Sequence, residues 1–251
     1  MTAPALEARG LVRRFGALAA TDEVSFAIRP GARQALIGPN GAGKTTLINL
    51  LTGATKPSAG QILLHGRDIT HLKPSARVRL GLSRTFQINQ LFPDLTPTES
   101  LGLAISERNG SGADFWRGAG SRPAVVAEIA ELLMHFGLEA DMDKLTRKLP
   151  YGKQRLLEIA LALAARPRVL LLDEPAAGVP EEERRDILAA LAALPADVAI
   201  LLIEHDMDLV FNFADRISVL VAGKILTEGG PDAIAADERV RAVYLGEDPH
   251  A

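Results

Sequence analysis

The chain has 251 residues, 47% of them hydrophobic, with 28 basic and 31 acidic side chains and a formal net charge of −3. That length fits one large domain or a core with a subdomain, and the near balance of charge gives no argument for a nucleic-acid partner. There is no cysteine, which excludes disulfides, thiolate metal sites and thiol catalysis.

The first ten residues, MTAPALEARG, carry Glu7 and no apolar run, which argues against a secretory leader. Residues 5–12 and 24–28 have strand composition, and 33–37 form a short apolar strand that stops at Gly38. A glycine-rich turn and a helical run over 44–51 follow, and 61–64 reads as a further strand closed by Gly66. From about Phe86 to Leu149 apolar residues recur at helical spacing, in 98–106 and 125–136, around a Gly- and Ser-rich stretch, 109–123. This predicts a helical subdomain with a loop inside it, where the single tryptophan, Trp116, caps the loop against the surface. After Gly152 a helix runs to about Ala165, and 169–172 are four consecutive apolar residues, as in a strand buried on both faces. A helix over 181–194, a second buried strand over 198–203, a helix over 206–214 and a hairpin, 217–221 with 225–227, complete the chain. The most apolar windows all fall short of the ~20 residues that a membrane-spanning helix needs. Strands alternating with helices predict an α/β fold with a mostly parallel sheet covered on both faces.

Gly38-Pro39-Asn40-Gly41-Ala42-Gly43-Lys44-Thr45 matches the phosphate-loop pattern G-x-x-x-x-G-K-[ST]. Its glycines let successive backbone N–H groups turn toward phosphate oxygens, and the helix that follows adds its positive end. Lys44 would reach the β- and γ-phosphates and the Thr45 hydroxyl would ligate Mg²⁺, with Thr46 beside it. The apolar run 169–172 ends in Asp173 and Glu174. Two carboxylates at the end of a buried strand are expensive without a nearby cation; Asp173 suits the Mg²⁺ shell and Glu174 the polarisation of an attacking water. His205 ends the next buried strand, at the sheet edge where ligands bind. It could donate to a γ-phosphate, although a lone histidine is more often structural. Gln87, at the border of the helical part, could contact Mg²⁺ or water; taken alone it reads as a surface loop residue.

Taken in order, the loop 38–45, Gln87, the segment Leu149-Pro150-Tyr151-Gly152-Lys153-Gln154-Arg155, Asp173-Glu174 and His205 resemble the ATP-binding subunits of ABC transporters. Within that family the nearest resemblance is to branched-chain (hydrophobic) amino acid importer ATPases. It is carried by Ser83-Arg84-Thr85-Phe86-Gln87, Leu156-Leu157-Glu158-Ile159-Ala160, Asp173-Glu174-Pro175-Ala176-Ala177-Gly178, Ile203-Glu204-His205-Asp206-Met207 and Tyr244-Leu245-Gly246-Glu247. The resemblance implies a single ABC ATPase domain over 1–251, with a phosphate-loop NTPase core and an antiparallel β part in 1–86 and 156–251, and a helical subdomain in 87–155. It implies an ATPase that uses ATP and Mg²⁺ and drives uptake of such amino acids or related small solutes. It further implies a homodimer or heterodimer with a second ABC ATPase, permease subunits, a periplasmic or extracellular solute-binding protein, no nucleic acid, and a peripheral place on the cytoplasmic side of the cell membrane. By the same resemblance Phe15 stacks on adenine, Gln87 joins the γ-phosphate and Mg²⁺ to the permease, Glu174 is the catalytic base and His205 the switch histidine. Leu149, Pro150, Tyr151, Gly152 and Lys153 form the signature that closes over a partner's ATP. An ABC-type ATPase for another solute, or one without a transport partner, is the alternative reading.

Two residues depart from the family pattern. Pro150 stands where the signature has serine, and proline supplies neither hydroxyl nor N–H. Pro180 falls where an acidic or amide residue bridges the dimer. The helix start at Gly152 is expected to leave N–H groups facing a phosphate. The two substitutions are either tolerated or mark a chain that hydrolyses at its own loop better than it completes a partner's site.

Overall fold

The computed structural model describes residues 3–85, 91–110 and 123–245. Gln87 and Trp116 therefore lie outside the described residues. In chain order the elements are β1 (Leu6–Phe15), β2 (Leu18–Ile28), β3 (Arg33–Ile37), α1 (Lys44–Thr52), β4 (Ala59–Leu64), β5 (Arg67–Asp68), α2 (Pro74–Arg79) and β6 (Leu82–Arg84). There follow α3 (Pro97–Arg108), α4 (Pro123–His135), α5 (Tyr151–Ala164), β7 (Val169–Asp173), α6 (Glu181–Ala192), β8 (Ala199–Ile203), α7 (Met207–Phe213), β9 (Arg216–Val221), β10 (Lys224–Gly229), α8 (Pro231–Ala236) and α9 (Glu238–Leu245). The α/β class read from the alternation of strands and helices holds.

Two compact units make up the chain. One contains Met1–Leu82, Arg168–Glu174 and Ala196–Ala251, the other Ser83–Pro167 and Pro175–Pro195. The second unit reaches beyond the expected segment 87–155. It takes all of α5 and all of α6, because α5 packs against α3, α4 and α6.

In the first unit, β3, β7 and β8 are almost wholly buried, as the apolar runs within them, 35–37, 169–172 and 199–203, require. They belong to a six-stranded sheet of order β10-β9-β3-β8-β7-β6, in which β3 runs parallel to β8 and β9, and β7 parallel to β8. A four-stranded antiparallel sheet, β2-β1-β4-β5, accompanies it. One apolar core links Leu6, Leu11, Ile28 and Ile62 of this sheet with Leu47, Ile48, Leu50 and Leu51 of α1 and with Leu171, Leu201 and Ile203. A second lies between β3, β9, α7 and the C-terminal helices, around Ile37, Val210, Ile217, Val219 and Ile234. Both β1 and β2 extend past the sequence expectation, to Phe15 and from Leu18, because the hairpin pairing continues as far as Phe15 opposite Leu18.

The second unit is helical among its described residues, apart from the end of β6. Thr96 caps α3 with its hydroxyl accepting from Glu99 N–H, while Glu99 returns a carboxylate to Thr96 N–H. Buried Leu101 and Ile105 of α3, Leu132 and Leu133 of α4, Leu156, Leu157 and Ile159 of α5 and Ile187 and Leu191 of α6 supply its apolar interior.

Candidate functional site

The parallel register decides what comes together in the first unit. Leu36 of β3 pairs with Ile203 of β8, and Asp173 of β7 pairs with the same Ile203. The carboxyl ends of three adjacent strands thus meet at one sheet edge. The loop 38–45 leaves β3 there, Glu174 follows β7, and Glu204 and His205 follow β8. Glu174 N–H donates to the Ile203 carbonyl at 2.9 Å, tying the ends of β7 and β8 together.

The loop opens into α1 through Gly43, which sits in the left-handed region with φ 103° and carries no side-chain cap. A Cβ at this position would come within 2.2 Å of the Ala20 carbonyl oxygen, so both the conformation and the neighbouring chain demand glycine. The first turn of α1 contains no acidic residue. Its N–H groups and dipole are therefore offered to an anion without competition from a carboxylate in that turn. Lys44 folds back, its ammonium donating to the carbonyls of Gly38 and Pro39, the latter at 3.0 Å.

The acidic side of the site is built differently. Asp173 is 3% exposed at the end of β7, and Glu174 holds φ 48°. A left-handed backbone costs a residue with a side chain about 1 kcal/mol or more and concentrates at functional sites. Nδ1 of His205 lies 3.8 Å from Glu174 Oε1 and 3.6 Å from Glu204 Oε2. The imidazole is largely exposed while Glu204 is buried, so the ring presents its Nδ1 edge to two carboxylates.

Among the described residues no group of three or more His, Cys, Asp or Glu could cage a metal. The donor set that exists, the exposed hydroxyl-bearing Thr45 and the buried Asp173 carboxylate, consists of hard oxygens. It suits Mg²⁺, which keeps water and takes phosphate oxygens as its remaining ligands. Phe15, at the end of β1, has its ring half exposed, with the Arg13 guanidinium 4.6 Å from the ring centre.

The signature segment stands in the second unit, where Pro150 is the N-cap of α5. The N–H of Gly152, expected to stand open to a phosphate, is engaged: it donates to Glu183 Oε2 at 2.7 Å. Tyr151 OH donates to the Ala177 carbonyl at 3.4 Å, and Lys153 Nζ donates to the Gly137 carbonyl at 2.6 Å. Pro180 is the N-cap of α6 and forms no side-chain cap. Neither Glu183 nor Glu204 stands out in the sequence as a site residue. The legible signal for Glu204 was a carboxylate placed directly after the five apolar residues of β8.

Residues 21–177 match the family model described as ABC transporter, and residues 224–250 match that described as branched-chain amino acid ATP-binding cassette transporter. The high-affinity branched-chain amino acid transport ATP-binding protein BraF of Pseudomonas aeruginosa is 39% identical, over 98% of this chain and 100% of that protein. The protein of the same description, LivG, from Escherichia coli is 38% identical with the same coverage. The ADP conformation of MJ1267, an ATP-binding cassette of an ABC transporter, superimposes with a TM-score of 0.84 at 31% identity, covering 98% of this chain and 100% of that one. With its phosphate loop and acidic strand end within the matched region, the chain belongs to the ABC transporter family, as one of its ATP-binding cassettes.

Proposed function

We propose that this cassette powers an importer of branched-chain or other hydrophobic amino acids, using Mg²⁺ with ATP. The solute is supported by the printed roles of BraF and LivG and by the match over residues 224–250. The partners proposed are a second cassette, identical or similar, a pair of permease subunits and an extracytoplasmic solute-binding protein. Among the described residues no helix is long and apolar enough to cross a membrane. In the proposed assembly the permeases supply the membrane-spanning path, and the cassette binds them from the cytoplasmic side.

The observation that carries the chemistry is the meeting of the phosphate loop, Asp173, Glu174 and His205 at the carboxyl edge of β3, β8 and β7. The loop N–H groups and α1 bind the phosphates, and Lys44 leaves the carbonyls of Gly38 and Pro39 for the phosphate oxygens. Thr45 and Asp173 would hold Mg²⁺, which would supply positive charge against the charge that develops on the phosphates. Glu174 orients water for in-line attack and accepts its proton. His205, its Nδ1 facing Glu174 and Glu204, keeps Nε2 for the γ-phosphate. Phe15 supplies a face for adenine and Gln87 the link to the permease.

Glu174→Gln tests this assignment. Steady-state phosphate release should fall by about 10²–10⁴-fold, the range for loss of a general base, while a fluorescent ATP analogue binds with unchanged affinity. Undiminished hydrolysis would remove Glu174 from the role. Uptake of labelled leucine, isoleucine and valine by cells lacking this gene tests the solute, and intact uptake of all three would reject it.

A further inference from the structure

The first turn of a helix has N–H groups without intrahelical partners, and in α5 their disposition is unusual. Pro150 has no N–H to give. The N–H of Gly152, two residues on, meets Glu183 Oε2 at 2.7 Å. Glu183 stands in the first turn of α6, next to the exposed Glu181 and Glu182, but is itself partly buried. The approach is close enough that a Cβ at position 152 would fall 2.2 Å from the same oxygen and 2.9 Å from Glu183 Cβ. Glycine here therefore admits the carboxylate as much as it admits any outside ligand. The two helix starts are also joined beside this bond. Tyr151 OH reaches the Ala177 carbonyl, a Cβ on Gly178 would lie 3.6 Å from the Tyr151 ring, and the Arg155 guanidinium covers that ring at 5.2 Å.

An anion is thus already seated at the start of α5, and it belongs to the chain. This inference rests on the proposed function, in which a dimer partner brings the γ-phosphate of its ATP to the signature segment. We infer that Glu183 sets how readily this segment receives that phosphate. The phosphate and the carboxylate compete for one donor and repel one another, so the carboxylate must swing out before the dimer closes. Glu183 is a specificity-determining residue for the shared site and leaves the chain's own phosphate loop untouched.

The test uses the full chain carrying Glu174→Gln, which retains ATP. Sedimentation velocity in ATP and Mg²⁺ gives the monomer–dimer midpoint for this chain alone, with Glu183→Ala, with Glu183→Gln, and with Glu182→Gln as a control for lost charge on the same turn. Glu183→Ala empties the seat and should lower the midpoint concentration by about tenfold, the size of one charge-assisted hydrogen bond. Glu183→Gln, which keeps the shape and loses the charge, should fall between, and Glu182→Gln should shift it by less than about twofold. Equal midpoints, or no dimer in any variant, overturn the inference. Binding of the fluorescent ATP analogue separates the two levels: retained binding with unmoved midpoints defeats the role of Glu183 alone, whereas lost binding in the parent defeats the function beneath it.

Discussion

The starts of α1 and α5 are the same device in two states. Each lacks a side-chain cap of its own and has no acidic residue in its first turn, so each would present N–H groups and a positive dipole end to an anion. At α1 the left-handed Gly43 turns the loop proposed to bind phosphates into the helix, and Lys44 rests on that loop's own carbonyls. At α5 the space is taken by Glu183, 31 residues further along the chain. The backbone alone therefore does not decide whether a helix start is a receptor. One side chain delivered by a neighbouring helix does.

The strongest way to break the comparison is at the far end of α1. Arg77 of α2 is 1% exposed and donates to the carbonyls of Leu50 and Leu51 in the last turn of α1, and to those of Thr70 and Leu72. Burial pushes its guanidinium down to about 10, so it is still charged at neutral pH. Arg77→Met keeps the stem but leaves buried carbonyls without donors, at about 1–3 kcal/mol each where no water replaces the guanidinium. The expected loss is about 3 kcal/mol in urea unfolding. Nucleotide affinity of the folded fraction should change little, since the proposed phosphate seat is at the opposite end of the helix. A large loss of ATP affinity at full folding would show that the open state of α1 depends on its anchoring.

How much of this was legible follows from how local each signal is. The strands 169–172 and 198–203 are unbroken apolar runs and 33–37 closes on one, Ala35-Leu36-Ile37, and the structure places β3, β7 and β8 on them to within a residue. The loop 38–45 is likewise a contiguous motif, so its place between β3 and α1 could be read directly. Polar, irregular segments hid more. The end of β1, Arg13-Arg14-Phe15, is strand because β2 pairs with it, and α2 has six residues, too few for a period, with its one fully buried side chain an arginine. The contact of Gly152 with Glu183 was invisible for the same reason at larger scale. It depends on α6 packing against α5, and three consecutive glutamates do not say which one turns inward.

A smaller effect comes from the proline of the signature segment. Pro150→Ser restores a hydroxyl and an N–H at the N-cap of α5, but Glu183 keeps its hold on Gly152. In the Glu174→Gln background, association in ATP should tighten by about fivefold, ~1 kcal/mol, and adding Glu183→Ala should bring a further gain. If Pro150→Ser alone matches the double change, the carboxylate is not the obstacle and the contrast between the two helix starts rests on the proline.

The smallest effect expected concerns the unit that carries the closed helix start. Glu128 of α4 accepts from Arg108 of α3 at 2.6 Å and 2.8 Å, and from Arg166 just beyond α5, while Arg108 also donates to the Ala164 carbonyl at the end of α5. The bond from Arg108 outweighs the desolvation of Glu128 and holds its carboxyl below its ordinary 4.5, with Arg166 adding to the effect. A carboxylate with a depressed folded pKa stabilises fully above its unfolded value and loses that contribution as pH falls through the folded one. Unfolding free energy should therefore drop by ~1 kcal/mol as pH falls from about 6 to about 3 on this account, and Glu128→Gln should flatten that part of the profile. The same titration read on the helical unit asks whether α5 is held at both ends independently. If acid loosens the C-terminal anchor while Glu183 variants keep their effect on dimer formation, the occupied start of α5 is a property of α6 alone, and the two helix starts differ by one side chain.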